Sequence, residues 1–282
     1  FYASLLNNQP MGFYHPSTLV KDAQRHGIRV RPIDVMHSDW LCTVENDQTI
    51  RLGLMYVRGL RKETGIELER QRKARPFASL DDLRDRVSLR KPEVTTLAEI
   101  GALNAFGMRR REALWQIEKA WRAYGALFRE IERNQQEHGS PLRDMNDQER
   151  LIADFAGTGL TIGPHPMTFE RDRLKANGIL SAAELPRLPN GRWVKVAGAV
   201  IVRQRPGTAK GFFFITMEDE TGLSNIIVRP QIYEKEKTVL STAAFLLVEG
   251  PLQNQDGVTS IRAERVLPLE NFLVRTKSRD YH

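Results

Sequence analysis

Cysteine is almost missing from this chain of 282 residues. Cys42 is the single one, which excludes a disulfide framework and any multi-cysteine zinc site, and no nucleophile signature surrounds it. Histidine is scarce too: His15, His26, His37, His138, His165 and His282 show no His-Glu-x-x-His or comparable ligand spacing. No apolar run approaches the roughly 18–20 residues of a membrane helix, and no signal-peptide pattern opens the chain. The Gly-rich stretch from Gly157 to Pro166 lacks the Gly-Lys-Ser/Thr ending of a phosphate-binding P-loop and reads as a structural turn. Glu218-Asp219-Glu220 is the one dense carboxylate cluster; Glu218 and Glu220 could share a strand face and hold a metal, but the Thr221-Gly222 that follows favours a plain acidic turn between strands. No catalytic residue and no metal ligand is identified.

What is present is ordinary in amount and uneven in place. The chain is 41% hydrophobic and 27% charged, enough to bury a core, and its length suits about two domains. Lys and Arg number 42 against 35 Asp and Glu, a formal charge of +7. Residues 58–122 hold 16 basic against 10 acidic residues, so nearly the whole excess lies there. A local basic surface attracts polyanions and releases their counterions on binding. A solvated helical face is the plain alternative.

The periodicity predicts an α+β multidomain chain. Residues 1–54 read as helix, with Ser17 capping a helix that stops at Gly27, followed by short extended pieces. Residues 55–133 read as short helices with Gly and Pro punctuation, Ser79 and Pro92 marking two starts, and a longer amphipathic helix over 113–131. Residues 134–192 form a polar linker and a connector helix capped by Asn146. Over 193–268 the period switches to strands, five runs with a short helix between the third and fourth. That order predicts a five-stranded OB-fold barrel, with Tyr233 and Val239 as its plug. Residues 269–282 are a tail.

Two places in the basic segment fit helix-hairpin-helix elements, in which a Gly turn and a helix N-terminus face a DNA phosphate. The first is Val57 to Lys62, with Gly59, Arg61 and Lys62 as candidate DNA contacts; Arg61 stands where the usual pattern has a second Gly. In the second, Gly107 takes the turn, and Arg109, Arg110 and Arg111 open the next helix. Cations are disfavoured at a helix N-terminus unless an anion docks beside them. On the barrel, the loop between the first two strands carries Arg203, Arg205 and Lys210, and Phe212, Phe213 and Phe214 follow. One ring of this run is expected in the core and one, assigned to Phe213, on a stacking platform for single strands; Lys195 and Arg229 are weaker additions.

These segments resemble one family in order. NNQPMGFYHPSTLVKDAQRHGIRVRPIDV looks like the end of the fingers domain of C-family bacterial DNA polymerases, the class of the replicative alpha subunit. LAEIGALNAFGMRRREALW resembles their helix-hairpin-helix region, TGLTIGPHPM their connector, and VAGAVIVRQRPGTAKGFFFITMEDETGLSNIIV their OB domain. QPMGFY, RQRPGTAKG and EDETG look most like the error-prone branch used in damage-induced mutagenesis. The resemblance implies the DNA-binding C-terminal portion of a translesion polymerase, its two Mg²⁺ ions held by palm aspartates upstream of Phe1. It further implies bacterial cytoplasm, a sliding clamp and accessory mutagenesis proteins as partners. Ala126-Leu127-Phe128 and the 134–145 linker are weak candidates for a clamp-binding peptide. Arg61, a departure from the family's hairpin pattern, puts that contact in question. The alternatives are a free-standing nucleic-acid-binding module and an OB domain that binds protein.

Overall fold

In a computed structural model of the chain, residues 1–12, 14–122, 141–255, 257–269 and 279–281 are described. They form two compact units, one of residues 1–9 and 22–162, the other of 10–21 and 163–282.

The first unit is helical around one small sheet. After α1 (Tyr2–Asn7) and α2 (Pro16–Arg25), of which only residues 22–25 belong to this unit, strands β1 (Arg29–Arg31), β2 (Thr43–Asn46) and β3 (Thr49–Arg51) pair in the order β1-β3-β2. The α2 start differs from the Ser17 cap expected: the helix opens at Pro16, whose fixed φ suits a first turn, and His15 precedes it. Then come α3 (Lys62–Ala74), α4 (Leu80–Arg86), α5 (Lys91–Glu99), α6 (Arg110–Arg122) and α7 (Asp147–Thr158). Their starts are locally encoded. Ser79 accepts the Asp82 N–H at 3.1 Å, and Asn146 and Glu149 close a reciprocal capping box, each side chain accepting the other's N–H at 2.8 Å. Leu54, Leu68, Leu83, Leu97, Leu103 and Ile117 are fully buried in this unit. Helix α7 joins that packing through Gly157, where a Cβ would overlap the Ile100 side chain. The part of the expected 113–131 helix beyond Arg122, and the Ala126–Phe128 peptide, lie outside the described residues.

The second unit carries α8 (Arg171–Ala176) and a barrel of β4 (Trp193–Gln204), β5 (Phe213–Glu218), β6 (Leu223–Val228), β7 (Phe245–Gln255) and β8 (Val258–Ala263). β5 and β6 run antiparallel to their predecessors, β6 pairs parallel with β8, and β4 closes on β7 from Trp193↔Pro251 to Ala199↔Phe245. That is the OB arrangement. Helix α9 (Pro230–Thr242) sits between β6 and β7 and plugs the core with Tyr233 and the fully buried Leu240; Val239 only flanks it. Phe213, Ile215, Met217, Ile226, Val228, Val248 and Ile261 alternate inward.

The fifth run divides into β8 and β9 (Arg265–Pro268), which pair with different halves of β7. A short β10 (Arg279–Tyr281) lies parallel to the end of β4. Gly250 marks the division: a Cβ there would overlap the Arg262 carbonyl oxygen. Gly250→Ala is expected to lower the stability of the barrel by about 1–3 kcal/mol in a denaturant titration, because backbone must shift to admit one methyl.

Candidate nucleic-acid interfaces

The first hairpin turn, Val57 to Leu60, puts Gly59 at φ +78 with nothing within 4 Å of a would-be Cβ. A Cβ-bearing residue is strained at that φ, and the open side leaves room for a backbone to approach. Lys62, at the start of α3, is exposed. Arg58, which the sequence reading passed over, has its N–H on the Gly157 carbonyl at 2.7 Å and its guanidinium on the Ala156 carbonyl at 3.0 Å. It thereby caps the end of α7.

Arg61 is engaged in an ion pair rather than left free as a phosphate ligand, with 36% of its side chain exposed. Its Nε and Nη2 donate to the two Glu93 oxygens at 2.8 and 3.0 Å, and Nη2 also donates to the Ser88 carbonyl at 2.8 Å. The Glu93 side chain is 2% exposed. Burial alone would push this carboxyl up. Hydrogen bonds from the Arg61 guanidinium and the Arg90 and Arg61 N–H groups outweigh it and hold the carboxyl at about 2.

The second turn has Gly107 at φ +77, again open, between Asn104–Phe106 and α6. The three arginines after it are not a bare cationic helix start: each faces an acid from residues 144–154. Arg109 pairs with Asp144, Arg110 with Asp154 at 2.8 Å, and Arg111 with Glu149 at 2.7 Å. The Asn146 N–H and Arg111 together hold Glu149 below the usual carboxylate range. The helix dipole disfavours these cations at their own N-terminus, and the downstream acids relieve that cost. A cavity of about 500 Å³ opens beside the turn, among Gly107, Met108, Arg109, Asp144, Met145 and Arg150.

On the barrel, two expected contacts are structural. Phe213 is 3% exposed and its ring packs 4.8 Å from that of Tyr233, so it fills the core rather than offering a platform. Arg203 belongs to β4 and is 5% exposed; its Nε donates to the Leu240 carbonyl at 2.6 Å and its Nη2 to the Ala243 carbonyl at 2.5 Å, capping the C-terminus of α9. Arg205 stacks its guanidinium 4.4 Å over the outer face of Tyr233 and pairs with Glu234 at 3.6 Å. Lys210 is exposed in the following turn at φ +49. Lys195 pairs with Glu249 at 3.8 Å.

The outer surface of the sheet supplies what Phe213 does not. Registers place Gln204, Phe214, Ile227 and Arg262 in one row across β4, β5, β6 and β8, all half-buried. Thr216, Asn225 and Ser260 form the next row. Arg229 and Arg262 share Glu264, so two cations stand at the end of the aromatic row against one acid. Aromatic face, aliphatic neighbour and guanidinium are the parts of a base-stacking and phosphate-binding strip.

Two family models match, one to each unit: a helix-hairpin-helix motif over residues 27–113, and an OB-fold nucleic acid binding domain over 194–269. An error-prone DNA polymerase of Alkalilimnicola ehrlichii is 39% identical over 289 residues, covering 100% of this chain and 28% of its own length. Error-prone DNA polymerase 2 of Agrobacterium fabrum is 40% identical, covering 99% of this chain and 27% of its own. This chain is a relative of the error-prone DNA polymerases. It spans little more than a quarter of the curated relatives it matches. Among solved structures, asparaginyl-tRNA synthetase from Pyrococcus horikoshii is 22% identical over 32% of this chain and 22% of its own, at a TM-score of 0.28.

Among the described residues no group of three or more His, Cys, Asp or Glu is placed to hold an ion. Asp219 and Glu220, from the acidic cluster, both bind Arg171, and Asp219 also accepts the Ala182 N–H at 2.8 Å. No helix among the described residues is long and apolar enough to cross a membrane.

Proposed function

We propose that this chain is the DNA-handling portion of an error-prone polymerase acting in translesion synthesis, with the hairpin unit on duplex and the barrel on single strand. One observation carries the duplex reading: the glycine turns at Gly59 and Gly107 both open to solvent with nothing in front of them. Each lets a phosphate reach the backbone beside a helix start, with Lys62 at the first and Arg109 at the second as the charged contacts. Such contacts carry no base information, which suits a protein that must follow any template. On the barrel, the row of Phe214, Ile227 and Arg262 favours stacked bases, and Arg205 and Lys210 are placed in the loop beside its start. DNA synthesis, a metal requirement, the bacterial cytoplasm, and a sliding clamp and accessory mutagenesis proteins as partners belong to this reading of the whole protein.

The test is a titration of this chain into labelled primer–template duplex across about 50–200 mM salt. Wild type is expected to bind with a steep salt dependence. Lys62→Ala should weaken binding several-fold, equally for unrelated sequences, and flatten the slope of log K against log salt by about one. Salt-independent binding, or none, would overturn the duplex reading.

A further inference from the structure

The three arginine–acid pairs beside Gly107 differ in burial, and the difference sorts them. Arg110 with Asp154 is 17% and 14% exposed, and Arg111 with Glu149 is 22% and 31%; both tie α6 to α7. Arg109 with Asp144 is 75% and 42% exposed and joins no two helices, since Asp144 precedes α7. An ion pair that open contributes little to stability, and a phosphate, bearing charge and several acceptor oxygens, competes well for a guanidinium. The cavity beside the turn is lined by both partners and is many times the ~30 Å³ of one water. A group larger than a carboxylate has room there.

From this we infer that Asp144 is an internal stand-in for a DNA phosphate: it occupies Arg109 in the free protein, and duplex must displace it to engage the second hairpin. The inference rests on the duplex reading above and adds a regulator to that site. Its consequence is selectivity. One isolated phosphate meets an occupied arginine, whereas a duplex that also grips the first turn gains enough elsewhere to complete the exchange. Arg150 pairs with Asp147 at 3.8 Å beside the cavity and gives the incoming anion a second cation.

Asp144→Asn keeps the shape and removes the competitor. It should bind duplex about two- to fivefold tighter, the range set by an exposed ion pair, with a salt slope steeper by up to one. Asp85→Asn removes an equal charge from an exposed position of the same unit, away from the cavity, and should change affinity less. In an Arg109→Ala background, Asp144→Asn should have no effect on duplex binding, and melting temperatures of all five proteins report on folding. Equal effects of Asp144→Asn and Asp85→Asn, no effect of Asp144→Asn, or persistence of the gain without Arg109 would overturn the inference while wild-type binding stands. If neither wild type nor Asp144→Asn binds duplex, the hairpin reading itself fails and takes this one with it. Asp144→Ser replaces Asp144→Asn should the latter lower the melting temperature.

Discussion

Phe213→Ala is expected to lower the stability of the barrel unit by about 3–5 kcal/mol, whereas Phe214→Ala, one residue on, should change it by less than about 1 kcal/mol and instead weaken the proposed single-strand binding. The two rings leave β5 on opposite faces. Phe213 is nearly inaccessible and stacks on Tyr233, so its removal opens a cavity between strand and plug helix. Arg205 then loses the support beneath its own stacking partner, Tyr233. Phe214 pairs across the outer face with Ile227, where a lost ring leaves solvent rather than a void. A base stacked on an aromatic ring is worth about 1–3 kcal/mol, so Phe214→Ala should reduce affinity for a labelled oligonucleotide by about five- to 150-fold. Thermal melts and anisotropy on the same two variants check both halves. If the effects were interchanged, the assignment of faces on β5 would be wrong.

Arg61→Ala is the second large effect, expected as a clear drop in the denaturation midpoint at neutral pH, reduced from that of a fully buried pair because the guanidinium is 36% exposed. It leaves the Glu93 carboxylate in the core with only the Arg61 and Arg90 N–H groups for company. Removing both partners, as in Arg61→Ala/Glu93→Leu, should recover part of the loss, since an apolar side chain needs no counter-charge there. The pH dependence follows from the direction of the shift. Glu93 sits at about 2 in the folded chain against an ordinary 4.5, so the fold binds that proton less readily than the unfolded chain does. The stabilisation is therefore complete above about pH 4.5 and is lost as pH falls towards 2. Wild type and Arg61→Ala should converge in acid, measured as denaturation midpoints between neutral pH and pH 3. An Arg61→Ala protein as stable as wild type would return Arg61 to the list of candidate DNA contacts.

Local signals made most of the fold legible. Ser79 and Asn146 cap the helices their spacing predicts, the Gly107 turn is left-handed, and the barrel follows the strand order read from alternation. Even the error at Phe213 had a readable remedy, because Phe213, Ile215 and Met217 form an unbroken apolar series at period two while Phe214 alternates with Thr216. Partners far apart in the chain were not legible. Nothing local to Arg109–Arg111 announces acids 35 to 44 residues later, and nothing at Arg61 announces Glu93. Arg203 turned on a strand boundary: β4 runs through Gln204, which carries Arg203 out of the loop and beneath the end of α9. The Gly250 crossing arises from two strands sharing one neighbour, a fact no single window of sequence contains.

Helix α7 touches both hairpin turns, receiving Arg58 from the first at Ala156 and Gly157 and giving Asp154 and Glu149 to the arginines of the second. A single helix thus links Gly59 and Gly107 and sets their spacing, as the frame of a caliper sets its jaws. For the duplex grip proposed here, recognition becomes a measurement of backbone geometry. A ligand whose phosphates match the gap engages both jaws, the second bond forming at the high effective concentration created by the first. A flexible single strand gains no such advantage, because it must be ordered to fit. Loosening α7 should therefore blur the distinction between duplex and single strand before it abolishes binding to either.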